Sequence, residues 1–172
     1  MISRTEGLRK PLVWGWTATA ALVFLHGTYA WPGLPLRMAT QFDVSGRAVS
    51  WMDKSSFYLV FFGVGVLLCN ALLLIFYRYL EKIPPDLLNL PWKNYWFSDP
   101  KRKQIAYQRT ALVLSGTGVF TNLILLFCLQ IVCQANLPEV FLQISVGQGL
   151  SAILVLTIAF LFLIYRAFRP IR

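Results

Sequence analysis

The sequence predicts an all-α integral membrane fold: a four-transmembrane-helix bundle with a short extracytoplasmic β-hairpin between the first two helices. Three observations carry this. The chain holds four long apolar stretches, with no Asp, Glu, Lys or Arg well inside any of them. Its 172 residues are 57% hydrophobic and only 13% charged, unlike a soluble domain. Its basic residues crowd onto one side of the apolar stretches.

Crossing the hydrocarbon core takes about 20 apolar residues. Residues 11–31, 57–80, 110–134 and 140–168 satisfy that length. Backbone groups in lipid must be satisfied within the segment, so each reads as a helix. The start of the last span stays open. Asn136 and Pro138 would begin it at once, whereas Gly147 and Gly149 would break it near the outer surface. No repeat or low-complexity linker divides the chain, so residues 1–172 read as one membrane domain, with an outer loop over 32–56 and an inner loop over 81–109. Spans without charges are the structural kind; charged ones would have pointed to ion or proton traffic.

Orientation follows from Lys and Arg. Arg4, Arg9 and Lys10 precede the first span. Arg78, Lys82, Lys93, Lys101, Arg102, Lys103 and Arg109 surround the inner loop, and Arg166, Arg169 and Arg172 close the chain. Thirteen of the sixteen basic residues therefore share one side, and only Arg37, Arg47 and Lys54 lie opposite. The positive-inside rule puts both termini in the cytoplasm, in a bacterial inner membrane. The net charge of +9 has the same origin. Lys and Arg beside anionic lipid gain about 1 kcal/mol each, so membrane lipids account for the charge and no nucleic-acid partner is expected.

The amino terminus resembles a secretory signal, with small-residue cleavage bait at Thr28-Tyr29-Ala30. The apolar run is long enough to span and the chain begins at Met1, so a retained first helix is expected. Cys69, Cys128 and Cys133 have neither zinc nor redox spacing and serve as small apolar residues. Gly15 with Thr19, Ala111 with Ser115, and Gly147 with Ser151 are small pairs four apart that let helices approach closely.

In the outer loop, Thr40 and Phe42 alternate before Asp43-Val44-Ser45-Gly46, and Val49 and Trp51 alternate after it. An Asp that bonds its own backbone, followed by a Gly free to take a positive φ, makes a turn. A hairpin is expected, with Phe42, Trp51 and Met52 toward membrane or bundle. Asp53, Ser55 or Ser56 then caps the second helix. The inner loop runs from Lys82 through Pro84, Pro85 and Pro91 to Phe97, and its prolines rule out one continuous helix. Its dense Trp and Tyr suit the headgroup zone. A polar helix from Lys101 to Arg109 is expected to run straight into span three.

Leu34-Pro35-Leu36-Arg37-Met38-Ala39-Thr40-Gln41-Phe42-Asp43-Val44-Ser45-Gly46, with Trp51 and Lys54 downstream, resembles the signature of a bacterial membrane domain of unknown function. It is the domain found at the front of the SdpI immunity protein. The run Asn89-Leu90-Pro91 through Tyr95-Trp96 is similar to a second segment of small four-helix members, which extends the resemblance over most of the chain. The family's usual His before the Phe is Gln41 here. The resemblance implies a small membrane domain with an outer hairpin and brings no catalytic residues. It makes Pro35, Gln41, Phe42, Asp43, Gly46, Trp51, Lys54, Asn89, Pro91, Tyr95 and Trp96 the candidate interaction or structural motif. In SdpI the domain precedes further helices and is linked to toxin immunity and to holding a repressor at the membrane. This chain ends at Arg172, which makes immunity a weaker expectation.

His26 is the only histidine, about 5 residues and so about 7 Å below the outer end of span one. Gln130, Gln134 and Gln148 fall near the same depth, which allows an intramembrane polar cluster of these four. A haem held within the chain would ordinarily take a second His or Met from a facing helix, so no cofactor is expected. Asn70 and Asn122 lie near mid-membrane and read as glue between helices. Asp43 and Asp53 are explained by turn and cap. No Ser-His-Asp set, phosphate loop or metal motif is present, so neither catalytic nor metal residues are expected and an enzyme is not. The expected role is a non-catalytic accessory subunit that contacts other membrane proteins. An SdpI-like immunity or sensing protein and a small carrier or channel are the alternatives.

Overall fold

The computed structural model describes residues 2–137 and 143–170. Helix α1 covers Ile2–Ala30 and ends in a 3-10 turn, Trp31–Gly33. Strands β1, Arg37–Phe42, and β2, Ala48–Asp53, form an antiparallel hairpin, pairing Arg37 with Asp53, Met38 with Met52 and Phe42 with Ala48. The ladder is irregular around Thr40 and Gln41. Helix α2 runs over Lys54–Lys82, α3 is a single turn at Lys93–Trp96, α4 covers Pro100–Asn136 and α5 covers Val146–Phe168.

Three of the expected spans are helices long and apolar enough to cross a membrane: α2, α4 and α5, with mean hydropathies of 2.7, 2.1 and 2.2. Helix α1 occupies the expected place of the first span but is less apolar, because Trp14, Trp16, Thr17, Thr19 and His26 interrupt its Leu, Val and Ala. Helix ends form where side chains replace missing backbone partners. Asp53 accepts from the Ser56 N–H at 2.8 Å to start α2, and Asp99 accepts from Lys101 and Arg102 to start α4. As expected, the polar segment from Lys101 continues into span three without a break.

The last span departs from its expected 140–168. Residues 138–142, Pro138 among them, lie outside the described residues. Helix α5 begins at Val146, where Ser145 and Gln148 bond each other's backbone in a capping box. Gly147 and Gly149 sit inside its first turn and do not break it, since a capped amino terminus offsets the conformational freedom of glycine. Asn136 closes α4 rather than opening α5.

The most extensive helix contact is α1 against α4. The buried face of α4 runs Ala111, Ser115, Gly118, Asn122, Leu129 and Val132, at alternating four- and three-residue steps or their sum. Small residues along it let the backbones approach. A Cβ on Gly118 would lie 2.4 Å from the Trp16 ring, so only glycine fits there. The Ala111–Ser115 pair lies on this seam and Gly15 meets Val119, whereas a Cβ on Gly147 would meet nothing within 4 Å. That third pair is therefore not a packing site among the described residues.

Within α2, Leu59–Leu68 is wound as a π-helix. Phe57 stacks on Phe61 at 5.3 Å and Tyr58 on Phe62 at 5.0 Å, and Phe62 lies over Gly27 so closely that a Cβ would stand 2.2 Å from its ring. The outer core joins Val23, Leu34, Met38, Phe57, Leu129 and Val132. Inner clusters form around Trp96 with Phe168 and around Leu80 with Tyr107. Helix α5 is peripheral and buries only Gly149 and Phe168.

Candidate functional site: an anchored hairpin and an inner aromatic clasp

The hairpin is built from its turn outward. The Asp43 carboxylate accepts from the Ser45 hydroxyl at 2.6 Å and from the Ser45 and Arg47 N–H groups at 2.9 Å. Gly46 takes φ 81, the left-handed region glycine enters at little cost. These bonds hold the Asp43 carboxyl below its ordinary range, the Ser45 hydroxyl first and the Arg47 N–H next. Asp53 is held low in the same way by Ser56. Turn and cap are thus the roles the sequence suggested.

Two side chains fasten the hairpin to the bundle. Lys54 donates its ammonium to the carbonyls of Leu34 at 2.8 Å and Trp31 at 3.1 Å, and lies 4.7 Å from the Trp31 ring. A cation thus sits where α1 and its last turn leave carbonyls unsatisfied. Asn136, the last residue of α4, accepts from the Ala39 N–H and donates to the Ala39 carbonyl, both at 2.8 Å. Its amide acts as a third strand one residue long, beside the irregular stretch of the ladder. Sequence reasoning missed Asn136 because an Asn at a helix end reads as a cap. The odd strand register it serves is not visible in one dimension.

The motif residues then sort by burial. Met38 and Ala39 face the core and Phe42 packs half-buried against it. Pro35, Gln41 and Gly46 are exposed. Trp51 is 52% exposed and Met52 lies beside it at the surface, so of the three residues expected to face membrane or bundle only Phe42 packs into the bundle. A cavity of about 570 Å³ opens between the turn and the start of α5, lined by Phe42, Ser45, Gln134, Ile144 and Ser145 among others.

At the other end, Trp96 is wholly buried. Its indole donates to the Phe168 carbonyl at 2.8 Å, and the Arg109 guanidinium lies 4.6 Å over its ring while donating to the Ala167 carbonyl. Both donors satisfy the exposed carbonyls that end α5. Arg102 lies 4.3 Å over Tyr95 and bridges to Asp99 at 3.0 Å. Asn89 is exposed; Pro91 leads into Trp92, which takes φ 53 and turns the chain into α3. Trp96 therefore does not sit among headgroups as expected. It is a core residue, because its ring fills the space between α4 and the end of α5.

The intramembrane cluster expected of His26, Gln130, Gln134 and Gln148 does not assemble as one. Gln130 hydrogen-bonds His26, whose Nε2 is buried without a partner. Gln134 exchanges two bonds with the Ile144 backbone, and Gln148 caps its own helix. Similar depth did not bring them together, because each glutamine found a backbone partner or neighbour nearer by. The expected pairing of Asn70 and Asn122 is present. Their amides bond reciprocally at 2.9 and 3.2 Å, Trp16 donates its indole N–H to Asn70, and Asn122 reaches the Trp16 carbonyl. Three helices are joined there, and neither amide is left to line a passage.

Fold and site together define a helical membrane domain whose outer hairpin is clamped to its helix ends. A model of a domain of unknown function, DUF1648, matches residues 18–68, from the outer half of α1 through the hairpin into α2. The chain is similar to that family there, and the match stops short of the inner-loop segment. No curated protein and no solved structure matches the chain.

Proposed function

We propose that this chain is a non-catalytic, four-span protein of a bacterial inner membrane with both termini cytoplasmic, acting as an accessory subunit that offers its outer hairpin to other membrane proteins. One observation carries the reading. Asp43 and Lys54 are committed to holding the hairpin, while several of its apolar side chains are left outward. Leu36, Val44, Val49 and Trp51 are exposed on a hairpin that Lys54 and Asn136 hold in place. A rigid aromatic anchor on a fixed ribbon is the kind of surface that carries binding energy. Placing α1 in the membrane is supported by its long seam against α4 and by the basic residues before it.

A photo-reactive side chain at Val49 should cross-link to a specific membrane protein in intact cells, and Trp51→Ala should release that protein without altering the fold. A monodisperse monomer with no cross-link at hairpin positions would defeat the reading. A second reading, an SdpI-like immunity or sensing protein, rests on the resemblance of the hairpin motif, which lies within the residues that DUF1648 matches. Deleting the chain should then sensitise cells to a secreted peptide toxin; unchanged sensitivity removes it. A carrier has less support, since Asn70 and Asn122 are satisfied by each other.

A further inference from the structure

We infer that the cleft between α1 and α2 is a site for one acyl chain of an anionic phospholipid whose headgroup rests on Lys10 and Arg78. The inference builds on the reading above that α1 lies in the membrane beside α2. The cleft has a volume of about 360 Å³ and is walled by Val13, Ala20 and Phe24 on one side and by Leu67, Ala71 and Leu74 on the other. The polar atoms at its floor are already engaged, since Trp16 donates to Asn70 and Asn70 donates to Val66 and Asn122. Nothing polar there calls for water or a polar ligand.

Its dimensions select the occupant. From Val13 to Phe24 the α1 wall rises about 16 Å at 1.5 Å per residue, close to half of a ~30 Å hydrocarbon core. The cleft is a groove open along one side, with apolar walls suited to a polymethylene chain lying along it. A polymethylene chain can lie within it, whereas a helix would only cover its mouth.

Charge selects the headgroup. Lys10, Val13, Thr17, Ala20 and Phe24 form one stripe on α1 at steps of three and four, and Leu67, Ala71, Leu74 and Arg78 form one on α2. Both cations therefore continue the cleft walls one turn beyond its inner end. Both are exposed, and neither forms an ion pair with a described residue. Two unpaired cations at the mouth of an apolar cleft complement a phosphodiester with a neutral or anionic headgroup, and discriminate against a zwitterion whose ammonium they repel.

Native mass spectrometry of the full chain tests this, after delipidation and addition of equal phosphatidylglycerol and phosphatidylcholine. One phosphatidylglycerol should be retained at least fivefold over phosphatidylcholine. Lys10→Gln with Arg78→Gln should abolish that preference, and Ala71→Phe should expel the lipid whatever its headgroup. Equal retention of both lipids, an unaltered preference in the double variant, or a lipid-free dimer would each overturn the site. The double variant changes two exposed side chains, so it remains readable should Ala71→Phe misfold. Impermeant thiol labelling at Gly7→Cys is measured alongside. Protection in spheroplasts without lipid preference defeats the lipid site alone, whereas labelling from outside defeats the four-span reading and the site with it.

Discussion

The hairpin end and the opposite, clasp end of the bundle meet the same problem with the same chemistry in different surroundings. At each, a helix ends with carbonyls in need of donors, and a cation paired with a tryptophan supplies them. At the hairpin, Lys54 reaches the Trp31 and Leu34 carbonyls beside the exposed Trp31 ring. At the clasp, Arg109 and the buried Trp96 reach Ala167 and Phe168. A lysine suffices where water shares the work, because its ammonium is a compact, well-hydrated charge. The buried end uses arginine, whose flat, weakly hydrated fork can donate to a carbonyl while lying on an indole face. The difference teaches that the loop before α4 is a structural lock and the hairpin a clamped ribbon with an exposed apolar face.

If so, the clasp end should be the costlier to disturb. Trp96→Ala removes a wholly buried ring and one cap of α5, and should lower stability by about 3–5 kcal/mol. Thermal unfolding in detergent, with proteolysis near Arg169, measures it; a loss as small as that of an exposed residue would break the contrast. Arg109→Lys should retain only part of the stability, since an ammonium lacks the flat guanidinium face that lies on the Trp96 ring.

The mid-membrane amides are the next test. Asn122→Leu leaves Asn70 with a lost partner and should cost about 1–2 kcal/mol, whereas adding Asn70→Leu should cost less than the sum of the single changes. A double-mutant cycle reads the coupling, and strict additivity would show that the pair is not a unit.

At the hairpin end, Lys54→Met should cost about 1–2 kcal/mol and Asn136→Ala about 1 kcal/mol. Both should raise amide exchange in the hairpin, most at Ala39 for Asn136→Ala, with α5 unaffected. Faster exchange at α5 would mean that the two ends are coupled rather than separate.

The smallest effect is a pH dependence of the turn. Asp43 is held below its ordinary carboxylate range in the folded chain, so its contribution is fully present above the unfolded value, near 4, and is lost as pH falls through the depressed value. Protection of the Ser45 and Arg47 amides, measured against their intrinsic exchange rates, should therefore fall as pH drops below about 4, and Asp43→Asn should flatten that profile.

Much of this was legible from residue order alone. Charge-free runs locate the three apolar spans, since lipid tolerates little else. Asp43-Val44-Ser45-Gly46 encodes its own turn, because all of those bonds close within five residues. Asp53 and Asp99 start their helices by equally local means. DUF1648 similarity covers the turn and the Asp53 cap but not Asp99.

What only the tertiary structure decided has long-range partners. Asn136 bonds a strand 97 residues away, and Trp96 caps a helix 72 residues on. Gln134 and Gln148, expected beside His26, went to backbone groups instead, and the last helix begins at Val146, capped by Ser145 in a capping box. Local hydrogen bonds are set by spacing along the chain and can be read there. A bond between distant residues depends on how helices rotate and slide against each other, which small residues such as Gly118 permit but do not announce.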